Sequence, residues 1–212
     1  MEGDYRTPAH MGEAALEEKR SRFLAMAVPV TTEEEAAASL EMRRKAHRDA
    51  RHHVYAYCLR GGARRYSDDG EPQGTGGMPL LDILTKEGVT DCLLVVTRYF
   101  GGILLGTGGL SRAYSQSGKR ALQAAGIVTM HRFDRVEITC DYARYGRVAA
   151  LVAENNGCAE KTDFTDWVRV VARLPHERTQ QLQDQLTEWG AGQLQLERLG
   201  SLYAPLANDD AN

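Results

Sequence analysis

No run of about 18 consecutive apolar residues occurs in this 212-residue chain, which excludes a hydrophobic membrane-spanning helix. The start, Met1-Glu2-Gly3-Asp4, has neither the basic nor the apolar segment of a secretory leader. Cysteine is sparse: Cys58, Cys92, Cys140 and Cys158 are scattered, and none form a Cys-x-x-Cys pair. A reduced, metal-free, cytoplasmic protein is therefore expected rather than a disulfide framework, with cysteine acting as a small hydrophobe. Internal repeats and low-complexity tracts are missing too. Neither nucleotide-binding fingerprint is present. Gly-x-x-x-x-Gly-Lys-Ser/Thr does not occur, and Gly106-x-Gly108 is not completed by a glycine at Ser111. No cofactor is expected.

What is there can build real cores: 42% of the residues are hydrophobic and 26% charged, ordinary for a globular protein. The length suits one large domain or two small ones. A formal net charge of −3 argues against indiscriminate nucleic-acid binding, but it averages over an asymmetry. Between Arg43 and Arg65, eight basic residues face a lone acid, Asp49, whereas from Phe133 onward 13 acids outnumber 8 bases. Only the front half offers an anion-facing surface.

The pattern along the chain is mixed. Residues 22–28 read as a strand ended by Pro29, and Thr32 with Glu35 forms a capping box for an Ala-rich helix over 33–46. Residues 54–59 are β-branched and aromatic, hence a strand, and 64–67 pairs with it across Gly61-Gly62. Asp68-Asp69-Gly70 is a turn, and Pro79 opens a short helix that stops near Gly88. The unbroken apolar run 92–97 marks a strand buried on both faces. A helix follows from about Leu110 to Ala125, with Gly126 after it. A second unit begins near Phe133, with strands at 136–140, 158–164, 168–174 and 193–203 and helices at 145–155 and 177–189. Its order, β-α-β-β-α-β, is the ferredoxin-like one. The polar tail 208–212 is expected to fray. The whole is α+β in two domains, 1–132 and 133–212.

Two glycine-rich segments carry the candidate chemistry. In the segment 97–114, Gly101, Gly102, Gly106, Gly108 and Gly109 lie between a buried strand and a helix. Backbone N–H groups of such a loop, with the positive end of the helix dipole, can hold an anion flanked by Arg98 and Arg112. The same glycines can equally serve tight turns and close packing alone. In the segment 67–79, Asp68, Asp69 and Glu71 can supply acid–base groups or simply shape an exposed turn. Glu71, placed before Pro72, has an extended backbone that aims it along the loop. The prediction is a cleft shared by the 101–109 loop, Asp68, Glu71 and either His52 or His53. If Glu71 meets Arg98, an ion pair is the first expectation. His52 and His53 open a strand, so their side chains point to opposite faces, and neither pairs easily with the other on one metal. The basic run Arg43, Arg44, Lys45, Arg48 and Arg51 is the best nucleic-acid candidate, or else a solvated helix face.

These two segments also resemble the signatures of the YigZ/IMPACT family, in its bacterial two-domain branch. They are Ser67-Asp68-Asp69-Gly70-Glu71-Pro72 with Gly74-Thr75, and Arg98-Tyr99-Phe100-Gly101-Gly102-Ile103 continuing to Gly106-Thr107-Gly108-Gly109-Leu110. Lys19-Arg20-Ser21-Arg22-Phe23-Leu24 and Asp49-Ala50-Arg51-His52-His53 are similar to the family's early segments. The resemblance implies a first domain folded like the fourth domain of elongation factor G, with its left-handed βαβ unit, and like the GHMP kinases. The second would resemble that factor's fifth domain. Eukaryotic relatives sustain translation initiation by binding a ribosome-associated activator of the starvation kinase, using an N-terminal recognition domain this chain is expected to lack. The chain departs from the family pattern at Gln73, Gly76 and Met78, and a missing Lys there weakens phosphate binding.

Three functions follow from these readings. A translation-associated accessory protein that binds RNA or the ribosome joins the basic stretch to the resemblance. An enzyme acting on a phosphorylated small molecule would use the glycine loop with Arg98, Arg112 and Glu71. A regulator that binds a protein partner would use the acidic second unit.

Overall fold

The computed structural model describes residues 3–206; the tail expected to fray, 208–212, lies outside them. The chain forms two compact units that divide after Thr129. In chain order the first contains β1 (Tyr5–Pro8), β2 (Gly12–Glu18), β3 (Ser21–Pro29), α1 (Glu33–Ala46), β4 (His52–Cys58) and β5 (Arg64–Ser67). It continues with α2 (Gly77–Glu87), β6 (Cys92–Tyr99) and α3 (Gly106–Ala125). Then come β7 (Ile127–Cys140), α4 (Tyr142–Glu154), β8 (Cys158–Phe164), β9 (Val168–Pro175), α5 (His176–Trp189) and β10 (Leu196–Ala204). The architecture is α+β. Among the described residues no helix is long and apolar enough to cross a membrane.

The first unit is organised by β6. Its sheet runs β2-β3-β6-β4-β5, so the apolar run sits in the middle. β3 and β4 are both antiparallel to β6, and α1 links them by crossing over it. Strand alternation splits the run between two cores. Cys92, Leu94 and Val96 join Phe23, Val54, Leu80, Leu84 and Tyr114 beneath α2 and α3. Leu93 and Val95 join Met26, Tyr57 and Leu40 beneath α1. In the second unit β7, β8, β9 and β10 form one sheet in the order β10-β7-β9-β8, with every neighbour antiparallel. Val136, Ile138, Val170 and Leu174 of that sheet pack with Leu151, Leu182 and Leu186 of its helices.

Several boundaries differ from the sequence expectation. α3 begins at Gly106 rather than near Leu110, so Gly106, Gly108 and Gly109 lie in its first turn and Arg112 in its second. Glycine is a poor helix former, which argues against starting a helix there. Here Gly106 opens the turn in a left-handed conformation at φ 72°, which favours glycine, and a Cβ at Gly109 would come within 3.0 Å of Leu105. β1 and β2 carry no strong signal, since only Ala14 and Leu16 pack inward from β2. β7 starts nine residues before 136, and residue 132 lies inside it. The cap of α1 forms as a variant. Thr32 accepts from the Glu35 N–H at 3.1 Å, but Glu35 reaches back to Thr31, accepting from its N–H at 2.6 Å. That bond, with a second from the Thr31 hydroxyl, holds the Glu35 carboxyl below its usual pKa.

The α2–α3 contact depends on Gly118, where a Cβ would lie 2.6 Å from Leu80 Cδ2 and 3.1 Å from Ile83 Cδ1. Gly118→Val is therefore expected to lower unfolding stability by about 1–3 kcal/mol through overpacking. Urea denaturation followed by circular dichroism checks this; an unchanged midpoint would contradict the packing.

Candidate functional site

Arg98 continues the Cys92–Leu94–Val96 alternation, so β6 delivers its side chain to the α2/α3 face. There it is only 5% exposed. A guanidinium at that depth needs a counter-charge and acceptors. Glu71, from the loop between β5 and α2, supplies them: Arg98 Nη1 donates to its two carboxylate oxygens at 2.7 and 3.0 Å. Tyr114 on α3 donates its hydroxyl to the same carboxylate at 2.7 Å. Arg98 Nη2 donates to Ser21 Oγ at 3.3 Å, and the Gly101 N–H donates to that oxygen at 3.2 Å. The Tyr114 ring meets Phe23 edge-on at 5.2 Å, and the guanidinium lies over Phe23 and Phe100 at 5.4 and 5.5 Å. Burial, then the Glu71 charge and hydrogen bond, push the Tyr114 phenol far above its ordinary pKa.

The neighbouring acids are structural. Asp68 accepts the N–H groups of Gly74, Gly76 and Gly77 at 2.8, 2.9 and 2.8 Å. Its carboxylate closes the loop and holds the N–H groups at the start of α2. Asp69, in a left-handed conformation at φ 43°, accepts the His53 N–H at 2.6 Å, and its carbonyl accepts from His52 Nδ1 at 2.9 Å. The two histidines do point to opposite faces. His53 is buried beneath α1 against Thr97 Oγ1 at 3.1 Å, and burial pulls its pKa down. His52 lies on the Arg98 side.

Beside the ion pair is a cleft of about 370 Å³. Arg51, His52, Glu71, Pro72 and Arg98 line it, with Phe100, Leu104, Leu105, Gly106, Thr107 and Leu110 from the turn and start of α3. Of the residues expected there, His52, Glu71, Arg98 and Gly106 line it; Asp68, His53, Gly101, Gly102, Gly108, Gly109 and Arg112 do not. Gly101 serves close approach, since a Cβ there would lie 2.1 Å from the Arg20 backbone. Gly102 is left-handed at φ 83°. Arg112 is exposed over Gly108.

The basic run divides. Arg43 turns inward, its side chain 10% exposed, and ties α1 to the sheet through Thr97 Oγ1 at 3.3 Å, Glu13 at 2.7 Å and the Leu24 carbonyl at 3.2 Å. It is a packing residue rather than a free cation. Arg44 pairs with Glu41 at 2.9 Å and approaches Asp69 at 3.5 Å. Lys45, Arg48 and Arg51 are exposed. Tyr114 and Ser21 were not legible as site residues. Tyr114 reads as one more packing position of α3, and Ser21 stands out only as part of the family-like segment 19–24.

Residues 19–122 match the Impact N-terminal domain, and residues 138–193 match a domain of unknown function, DUF1949. The IMPACT family member YigZ of Escherichia coli is 37% identical over 186 residues, covering 84% of this chain and 89% of that protein. The IMPACT family member YvyE of Bacillus subtilis is 32% identical, covering 87% and 86%. This chain belongs to the IMPACT family. A crystal structure of a hypothetical protein is similar at a TM-score of 0.62 and 33% identity, covering 93% of this chain and 98% of that one. The Protein IMPACT homolog of Dictyostelium discoideum is 40% identical over 95 residues, 27% of its length, so the likeness there is confined to part of an IMPACT protein.

Removing one partner of the buried pair leaves a buried charge, so Glu71→Ala is expected to cost about 3–5 kcal/mol in urea unfolding. Combining it with Arg98→Met should cost less than the sum of the single changes. Additive costs would show that the two residues do not act as a pair. Stability should also fall as pH rises above about 10, because the unfolded phenol releases its proton there while the raised Tyr114 keeps its own. Tyr114→Phe should reduce that slope.

Proposed function

We propose that this IMPACT protein is a translation-associated accessory factor of the bacterial two-domain branch, and that its first unit docks on RNA or the ribosome. One observation carries the reading: a group of exposed cations lies at one end of the first sheet, with Arg64 and Arg65 exposed at the other. The strand registers Arg22↔Tyr99 and His52↔Arg98 bring the start of β3, the start of β4 and the end of β6 to the first of these ends. Lys19, Arg20, Arg22, Lys45, Arg48 and Arg51 are exposed there, against Glu17, Glu18 and Asp49. Asp49 is engaged by the Tyr99 hydroxyl at 3.0 Å. Asp68, Asp69 and Glu71 are tied up in bonds within the protein. The excess of exposed cations over exposed acids suits a phosphate backbone.

The strand order β10-β7-β9-β8 agrees with a ferredoxin-like second unit, and the resemblance to the fourth and fifth domains of elongation factor G fits the same role. Fold likeness alone does not fix function. A second reading, an enzyme acting on a phosphorylated small molecule in the cleft, is favoured by the nearness of Arg51 and His52 to the start of α3. Against it, Arg98 is committed to Glu71 and offers no free charge to a phosphate.

Charge reversal at Lys45, Arg48 and Arg51 to Glu should weaken ribosome or RNA binding by more than tenfold. It should also flatten the slope of log affinity against log salt by about one unit for each phosphate no longer neutralised. Co-sedimentation at graded salt measures both. Unchanged binding with an unchanged slope would return these residues to a solvated helix face.

A further inference from the structure

Resting on the RNA-docking reading, we propose that the cleft beside the β6–α3 turn takes one unpaired ribonucleotide of a single RNA strand. Its volume of about 370 Å³ falls near the lower end of the roughly 300–1,000 Å³ of small-ligand pockets, enough for a base and sugar but not a duplex. One wall is apolar and uncovered: Phe100 is 48% and Leu104 81% exposed. Phe100 is not loosely placed, because the Arg98 guanidinium lies over its ring at 5.5 Å and is itself held by Glu71. A fixed aromatic ring with open area is what a splayed base stacks on.

Charge and hydrogen bonding select the same occupant. Glu71, the one acid lining the cleft, is neutralised by Arg98, so exposed Arg51 sets the local charge and suits a backbone phosphate. A carbonyl oxygen only accepts, so His52 Nδ1 must carry a proton to donate to Asp69 O at 2.9 Å. In the neutral ring this leaves Nε2 as an acceptor, the complement of a ribose 2′-hydroxyl that DNA lacks. A purely anionic ligand would leave the Phe100–Leu104 wall unused.

The test is fluorescence anisotropy on the full chain with a labelled, unstructured ten-nucleotide RNA. The arms are its duplex, the DNA of the same sequence, and a ribonucleoside monophosphate as competitor. The single-stranded RNA is expected to bind at least tenfold more tightly than the duplex. Phe100→Ala and Leu104→Ala, both at exposed positions, should each lose about five- to tenfold for that RNA, with the salt slope unchanged. His52→Ala should narrow the preference for RNA over DNA. Wild-type affinity in Phe100→Ala, or equal binding of strand and duplex, would overturn the cleft assignment while leaving salt-dependent docking intact. Absence of RNA binding in every arm would overturn both. A free monophosphate that binds more tightly than the strand would assign the cleft to a small nucleotide instead.

Discussion

A guanidinium placed at the end of the central strand with 5% of its surface exposed has to be met by the rest of the first unit. Arg98 is so placed because β6 alternates without interruption, and nothing but another charge can make that depth tolerable. Glu71 meets it from a loop between β5 and α2 and Ser21 from the start of β3, while Tyr114 on α3 donates to the Glu71 carboxylate. One cluster therefore fixes four segments distant in sequence. Such a pair adds little net stability over an apolar replacement, but it specifies geometry: each partner is costly without the others. The cleft is the outer side of that arrangement.

The same pairing decides which charges remain for a ligand. Arg98 and Glu71 cancel each other, Asp68 is occupied by three backbone N–H groups, and Arg43 is drawn into the α1–sheet junction. Among the groups left exposed at the Arg98 end of the sheet, Lys19, Arg20, Arg22, Lys45, Arg48 and Arg51 outnumber Glu17, Glu18 and Asp49. The split of His52 and His53 across β4 follows from strand alternation alone. One histidine supports α1 through Thr97, and the other contributes to the cleft wall.

The legible parts were those where sequence period and structure coincide. The helix at 33–46, the hairpin strand at 64–67 and the two-faced burial of 92–97 needed only pattern, because their packing follows from it. The meeting of Glu71 with Arg98 was an expectation from two broken, polar, glycine-rich segments, with an ion pair as its first form. Other features needed the fold. Arg43 looks like its neighbours in sequence, and only the registry of α1 on the sheet turns it inward. Gly106 to Gly109 read as loop because glycine disfavours helix, yet α3 starts there, with Gly106 itself left-handed at φ 72°. Phe100 and Leu104 carry no signal of their own in the sequence, and only the structure shows them exposed in the turn after β6.

The central claim is that the end of the first sheet organised by Arg98 and Glu71 is where RNA binds. Ultraviolet crosslinking to RNA, with the attached peptides mapped by mass spectrometry, tests it most directly. The account predicts crosslinks in the peptides carrying residues 45–52 and 99–107. Crosslinks confined to residues 130–206 would contradict it.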